Sequence, residues 1–576
     1  MLKEFIRNNQ INILQCFKIL LAINIVLYIS ICLDLYKPMW AVIGAIFLQL
    51  RPEAGFVVEK TICLIAATLI GAIIGTTIVV LFIPFPFLAI LSLVFFLIIC
   101  LFISAGMSHP NFTYGIALGN ITAIVIVFYS ASDPENITAT GVFNIAAARF
   151  TEIGLGCITA CLVSFLIKPQ SVKSIYKKHS SRVFLATINH LSALTDLYIT
   201  NNSIINTATR EIIEATVTLH SDSSANMYET INAKNRYILF SNRALAMLRH
   251  IKDYSKYRDR NFTDDNYIYY SNLLNNQLKT ISLDTNLRNK IKELKVNSKD
   301  HKQPIVIRNL YTALISFLIA YINLGNIKSK SLEQINLPKI KNYHNLAIVC
   351  TSTIRTISIF IICTLLWILS NGSPGLLVAI ILMVILSQLF GGIPKSIILV
   401  RNVLIGVLVS APIAVATKLF LMPQVLGFVE LFLVLFSLII SIGIICLTIP
   451  RLQIYGLGYC LGIIFIIQPD NHMNFDIISS LSTCIGLLIG GCVFYTIYTL
   501  LPNAPNILTQ KLAIKALYGD LQKIGKTIHN KDQFVTSVAK KVLCVYKYEL
   551  PNNDMSKNYV DKMHDILNKA NKYFKK

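Results

Sequence analysis

Two ionisable residues stand where a chain has little reason to place them. Arg149 and Glu152 lie in the stretch RFTEIGLG (149–156), and between them and Lys60 there is no other Lys or Arg, only Asp133 and Glu135. At i,i+3 on a helix the two share a face and can pair. An ion in lipid is expensive, so an intramembrane pair faces protein or a water-filled cavity. Two readings follow. Arg149 attracts a carboxylate substrate while Glu152 carries a proton, or the two form a structural ion pair near the outer membrane face. Asp34, a further substrate or proton-coupling candidate, and Lys37 flank a turn that runs into Pro38, Met39 and Trp40. Trp40 reads either as an aromatic anchor at the interface or as the wall of an aromatic-binding site. The segment RPEAG (51–55), followed by Glu59 and Lys60, reads as a compact loop. Arg51, Glu53 and Lys60 are candidates for a cytoplasmic gate or substrate entrance, with a charged solvated turn as the alternative. Lys395 and Arg401 are the gate candidates of the later apolar block, and Arg401 is expected to start a helix and snorkel inward. Lys418 and Glu430, around Met422 and Pro423, are expected at the membrane interface. His109 is either a group titrating near neutral pH or a plain loop histidine.

These residues need elements that cross a bilayer. The chain has 576 residues, a mean hydropathy of +0.61, and only 14% charged residues, against about 25% in a soluble domain. From Thr356 to Pro394 there is no charge at all. A bilayer core selects such runs, about 20 apolar residues per helix. The net charge of +23 fits an excess of Lys and Arg on the cytoplasmic side. The basic stretches lack interleaved base-stacking aromatics, which excludes nucleic-acid binding. Twelve of the thirteen cysteines, from Cys16 to Cys492, fall in or beside apolar runs and read as small packing residues. There is no CxxC, HExxH, GxGxxG, Walker loop or GxSxG. No metal, no cofactor and no enzymatic constellation is expected. The first apolar run continues to Ser30 and Leu33 without a cleavage site, so it reads as a membrane helix acting as signal anchor.

Turn residues divide the chain into an all-α, polytopic membrane protein. Residues 1–168 form a first six-helix transmembrane repeat, 169–346 a cytosolic helical domain, 347–502 a second six-helix repeat, and 503–576 a cytosolic basic helical tail. Pro and Gly beside polar residues mark the helix ends. The two apolar blocks repeat at a nearly constant offset: Pro38 with Pro374, Lys60 with Lys395, Gly71 with Gly406, Pro134 with Pro469 and Gly154 with Gly490. Basic residues follow each block, while 131–144 and 469–476 carry acids and no Lys or Arg. The positive-inside rule then puts both termini and the middle domain in the cytoplasm. An even number of helices per block makes the repeat parallel, about an axis along the membrane normal.

The segment KPMWAVIGAIFLQLRPEAG with the following EK and G-x3-G (37–75), the segment RFTEIGLG and the layout of blocks together resemble the fusaric acid resistance protein family of bacterial inner-membrane proteins. That family includes aromatic carboxylic acid exporters, and the resemblance covers nearly the whole chain. It implies efflux of small aromatic or related organic acids driven by the proton gradient, with a periplasmic adaptor and an outer-membrane channel as partners. Departures occur. Ala66 stands at the position matching Arg401, Leu376 at that of Trp40, and Ile485 and Leu488 at the offset of Arg149 and Glu152. The substrate site is therefore expected to be asymmetric and dominated by the first half. Two other functions fit the same layout: a passive organic-anion channel, since the superfamily resemblance extends to plant malate channels, and a non-transport membrane scaffold.

Overall fold

The computed structural model describes residues 10–574 apart from 51–53, 83, 107–109, 133–137, 170–171, 196–201, 223–233, 261–263, 284–286, 299, 301–302, 325–339, 394–395, 425–426, 428–436, 471–474, 502–503 and 551–552. The described elements are helical throughout, with no strand among them. They form two compact units. The first comprises Met1–Gln170 and Leu346–Ala504, the second Ser171–Asn345 and Pro505–Lys576.

In the first unit the helices are α1 (Gln10–Cys32), α2 (Met39–Leu48), α3 (Ala54–Phe82), α4 (Pro86–Gly106), α5 (Pro110–Ser132) and α6 (Ala139–Leu166). After the intervening polar segment, whose helices are α7–α12, come α13 (Leu346–Leu369), α14 (Pro374–Phe390), α15 (Ser396–Ala416), α16 (Ser437–Thr448), α17 (Gln453–Ile467) and α18 (Ile477–Leu500). Among the described residues, eight stretches of this unit are long and apolar enough to cross a membrane. Four helices are shorter: α2, α14, α16 and α17. Ten residues at 1.5 Å rise give α2 a length of about 15 Å, half the hydrocarbon thickness. Every residue of α2 is buried, as is α17 from Gly456 to Ile467. α14 is buried nearly throughout. The long helices instead expose apolar faces, such as Ile62, Leu69, Ile73 and Val80 on α3. Three short helices, α2, α14 and α17, thus fill the middle, while the long ones and α16 present hydrocarbon outward, the arrangement a bilayer solvent demands.

Small residues set the distances. α3 packs on α5, and α15 on α17. A Cβ on Gly71 would collide with the Gly119 carbonyl, and one on Gly458 with the Val403 carbonyl. Such close approach replaces the hydrophobic effect as the force between helices in lipid. α15 carries Pro412 and ends in a π-turn at Thr417–Leu421, where the backbone ladder is loosened.

The second unit contains α7 (Val172–Thr195), α8 (Asn202–Asp222), α9 (Lys234–Arg260), α10 (Asp265–Leu283), α11 (Leu287–Asn297), α12 (Ile305–Asn323), α19 (Asn506–Gln522), α20 (Lys531–Lys547) and α21 (Asp554–Tyr573). α12 is as apolar as a membrane span. Its buried face nevertheless packs within this unit: Phe317 stacks on Phe240 of α9 at 5.2 Å and on Phe184 of α7 at 6.2 Å. The tail helices are tied in by Gln510 donating to the Val545 carbonyl (3.0 Å), by Asn345 donating to the Thr509 carbonyl (2.9 Å) and by the Lys541–Asp520 ion pair.

The helix contacts can be tested by size. Gly458→Val is expected to abolish the monodisperse species in detergent, as judged by size-exclusion chromatography. Gly154→Val, where a Cβ meets open space, is expected to leave it intact.

Candidate functional site

The turn between α1 and α2 aims a helix start at α6. α1 ends at Cys32, and Asp34 takes a left-handed φ of 49° that reverses the chain. Pro38 caps α2, and the Lys37 backbone N–H donates to Glu152 Oε1 at 2.5 Å. The other carboxylate oxygen accepts from Arg149 Nη1 at 3.2 Å. Both side chains are buried, at 3% and 0% exposure. A carboxylate at a helix start is favoured by the oriented N–H dipoles, so Glu152 is held from two directions. The guanidinium carbon stands 4.4 Å from the Trp40 ring centroid and 5.6 Å from that of Tyr129. Trp40 in turn meets Phe465 of α17 edge-on at 5.7 Å. Trp40 is only 5% exposed, so it is not an interfacial anchor. It is part of a wall around Arg149.

Arg149 and Trp40 share a closed cavity of about 10 Å³ with Ile121, Thr122 and Val125 of α5 and Ile385 of α14. That is room for about one water. Arg149 Nη2 and Trp40 Nε1 are buried without a hydrogen-bond partner among the described residues. Two unpartnered donors thus belong to residues that line this space, at the seam where the first apolar block meets the second.

Charge flanks this seam. Lys37 Nζ lies 3.5 Å from Asp470 Oδ2, joining the α1–α2 turn to the residues after α17. Lys418, in the π-turn, is buried and donates to the Ile466 carbonyl at 3.3 Å. Of the gate candidates, Lys60 is described within a helix rather than a loop. Glu59 and Lys60 lie inside α3 and are buried. Lys60 Nζ donates to the Phe47 carbonyl at 2.5 Å and stands 3.7 Å from the Tyr114 ring centroid, while Asn111 donates to Glu59 at 2.7 Å. Arg401 is exposed in the second turn of α15, which begins at Ser396. Arg51, Glu53 and Lys395, with His109 and Glu430, lie outside the described residues. Asp34 is exposed and shapes the turn.

Other polar residues emerge only in three dimensions. Lys18 Nζ donates to the Lys168 carbonyl at 3.1 Å, just past the end of α6. Arg355 Nε donates to the Leu501 carbonyl at 2.7 Å, at the end of α18. Both cations are buried and sit where the helix dipole favours them. Their common place in the first helix of each block was the signal available in the sequence. Asn120 of α5 donates to Gln388 of α14 at 3.2 Å across the seam, both buried. The register of the last helices also differs from the offset read in the sequence. Ile485 and Leu488 are exposed on α18. The buried residues Gly156, Cys157, Ala160 and Val163 of α6 match Gly490, Gly491, Phe494 and Ile497 of α18, so the register places Thr483 and Gly486 opposite Arg149 and Glu152. The second block still has no ion pair there. Among the described residues no group of three His, Cys, Asp or Glu is placed to hold a metal.

The sequence profile of the fusaric acid resistance protein family matches residues 12–546. The p-hydroxybenzoic acid efflux pump subunit AaeB of Erwinia billingiae is 22% identical over 496 residues, covering 82% of this chain and 74% of the relative. The proteins of the same name from Yersinia pestis and Yersinia pseudotuberculosis are 24% identical over 506 residues, 82% of this chain and 73% of theirs. No solved structure matches the chain.

The buried pair can be tested through stability. Arg149→Met leaves Glu152 uncompensated and is expected to destabilise the protein by about 3–5 kcal/mol. The double replacement Arg149→Met with Glu152→Met is expected to recover most of that loss. Thermal unfolding of the detergent-purified protein measures both.

Proposed function

The chain belongs to the fusaric acid resistance protein family, whose members are membrane efflux transporters rather than enzymes, and from that premise we propose that it exports small aromatic carboxylic acids across the inner membrane at the expense of the proton gradient. The observation that carries the reading is the unpartnered Nη2 of Arg149, a residue that lines a cavity with Trp40 and aliphatic side chains. A guanidinium offers two parallel N–H groups to a carboxylate, and Glu152 uses only one of the terminal nitrogens. Trp40, Tyr129 and Phe465 supply ring faces and edges for an aromatic body. The name of the relatives supports the same substrate class.

The cavity is too small for such an acid, so the present arrangement is occluded. Its lining comes from α2, α5 and α6 on one side and α14 on the other. Separation of the two blocks opens it. The packing supports a parallel repeat: α1 meets α16 as α13 meets α4, and α5 meets α14 as α2 meets α17. Rocking about this pseudo-twofold exposes the site to each side in turn. A substrate carboxylate that takes Arg149 deprives Glu152 of its counter-ion, and once the loaded site has turned outward the buried carboxylate takes up a proton from that side. After the acid leaves outward, the emptied site returns with Glu152 protonated. Re-formation of the ion pair then releases the proton inward, so anion efflux and proton entry are linked.

The basic second unit and both termini lie in the cytoplasm in this reading, by the charge bias of the flanking segments. The word subunit in the relatives' name supports assembly with further chains, and the partners proposed here are a periplasmic adaptor and an outer-membrane channel.

Cells preloaded with p-hydroxybenzoate provide the test. Efflux is expected to depend on the chain and to be lost with an uncoupler. Arg149→Met is expected to lower efflux at least tenfold, and Glu152→Gln is expected to remove the uncoupler-sensitive component. Efflux equal to wild type in both variants, at matched protein levels, overturns the assignment.

A further inference from the structure

The second unit holds a cavity of about 360 Å³ between α7, α8, α9, α20 and α21. Its walls are apolar, with Ile213, Leu245, Phe534, Val538 and Val542 all buried. Its rim is cationic. Arg249, Lys252, Lys256 and Lys531 line it, against the single carboxylate of Asp561. Arg249 and Lys531 also line an adjoining, more polar cavity of about 620 Å³, so these two basic side chains stand between the cavities.

The cations at the rim have neutral neighbours at hydrogen-bond distance. Lys252 Nζ is 2.8 Å from His564 Nδ1, and Arg249 Nη2 is 2.9 Å from His250 Nε2. Burial holds both imidazoles down at about 4, with Lys252 adding to the effect at His564 and Arg249 at His250. Burial and Lys256 pull the Lys252 ammonium down to about 8, which Asp253 and Asp565 offset only in part. Arg249 Nε is buried with no partner among the described residues, and Asp532 and Asp253 offset only part of the effect of burial on its guanidinium. A half-buried ammonium beside a neutral ring and a second cation is poorly compensated. A hydrophilic anion such as phosphate would answer the charge but waste the apolar walls. An apolar neutral molecule would leave the cations as they are.

We propose that this cavity binds an amphipathic monocarboxylate, with its apolar body against Val538 and Val542 and its carboxylate between Arg249 and Lys252. The site is separate from the Arg149–Glu152 pair and belongs to the other unit. A cavity of this size takes a bicyclic aromatic acid or a medium acyl chain. It gives the second unit a binding activity of its own, toward the chemical class that the membrane unit's guanidinium also suits.

The full-length protein in nanodiscs of zwitterionic lipid provides the test. Isothermal titrations use 2-naphthoate, decanoate, inorganic phosphate and 2-naphthalenemethanol in separate arms. The two acids distinguish an aromatic body from an acyl chain. At least one acid is expected to bind, and the alcohol and phosphate at least tenfold more weakly. Lys252→Met and Arg249→Met are each expected to weaken the acid tenfold or more, and Lys252→Arg to restore it to within about threefold. The double variant Arg149→Met with Glu152→Met is expected to leave this binding unchanged, which separates it from any failure of the transport reading. Photolabelling with 4-benzoylbenzoate is expected to mark peptides of α9 and α20, and covers the case of a variant that does not fold. Labelling confined to the first unit overturns the proposal. So does an alcohol that binds as tightly as the acid, an acid affinity untouched by Lys252→Met, or no acid binding.

Discussion

A guanidinium or carboxylate withdrawn from water carries a penalty of several kcal/mol unless charge or dipoles replace the lost hydration. In this chain that constraint falls on Glu152, and the structure around it follows. The carboxylate needs a second source of positive potential besides Arg149, and the start of α2 supplies it through the Lys37 N–H. That placement requires the first apolar segment to stop at Cys32, turn through the left-handed Asp34 and restart as a helix of ten residues. A helix so short cannot reach across hydrocarbon, so it must be enclosed by others. α6, α1 and α17 enclose it, and the long outer helices take up the lipid-facing role.

The same physics recurs at the other buried cations. Lys18, Arg355 and Lys418 each donate to a carbonyl at or just past the end of a neighbouring helix. Lys60 does the same to the Phe47 carbonyl near the end of α2. The last carbonyls of a helix have no intrahelical partner, so one contact satisfies both the acceptor and the charge. Cations that look like isolated ions in the sequence are therefore largely pieces of helix termini. Arg149 departs from this rule, since it faces a side-chain carboxylate and retains an unused donor.

The membrane character of the chain and its helix ends were legible because lipid imposes long apolar runs and Pro and Gly mark where they stop. The Arg149–Glu152 pair was legible because i,i+3 spacing survives any tertiary context. Three things were not. Glu59 and Lys60 read as loop residues because charges beside RPEAG suggest solvent, and only the packing of Tyr114 and Asn111 shows them inside a helix. The buried stripe of α18 follows that of α6 at an offset two residues shorter than the one read in the sequence, a difference visible only from burial. Trp40 fits a membrane interface or a buried wall equally well from one sequence. Its burial depends on Phe465, more than four hundred residues away in the chain.

The chain has two tryptophans. Trp40 touches Phe465 of the later block, and Trp367 lies 5.0 Å from Phe128 of the earlier one. Both indole N–H groups are buried without an acceptor among the described residues. All indole emission from this protein therefore originates at the seam between the halves, in a dry setting that keeps it blue. The second unit, rich in tyrosine, is silent at wavelengths that excite indole alone. Nature has in effect placed two optical reporters on the one boundary whose parting admits water, so the colour of the protein's own light reads how far that boundary has opened.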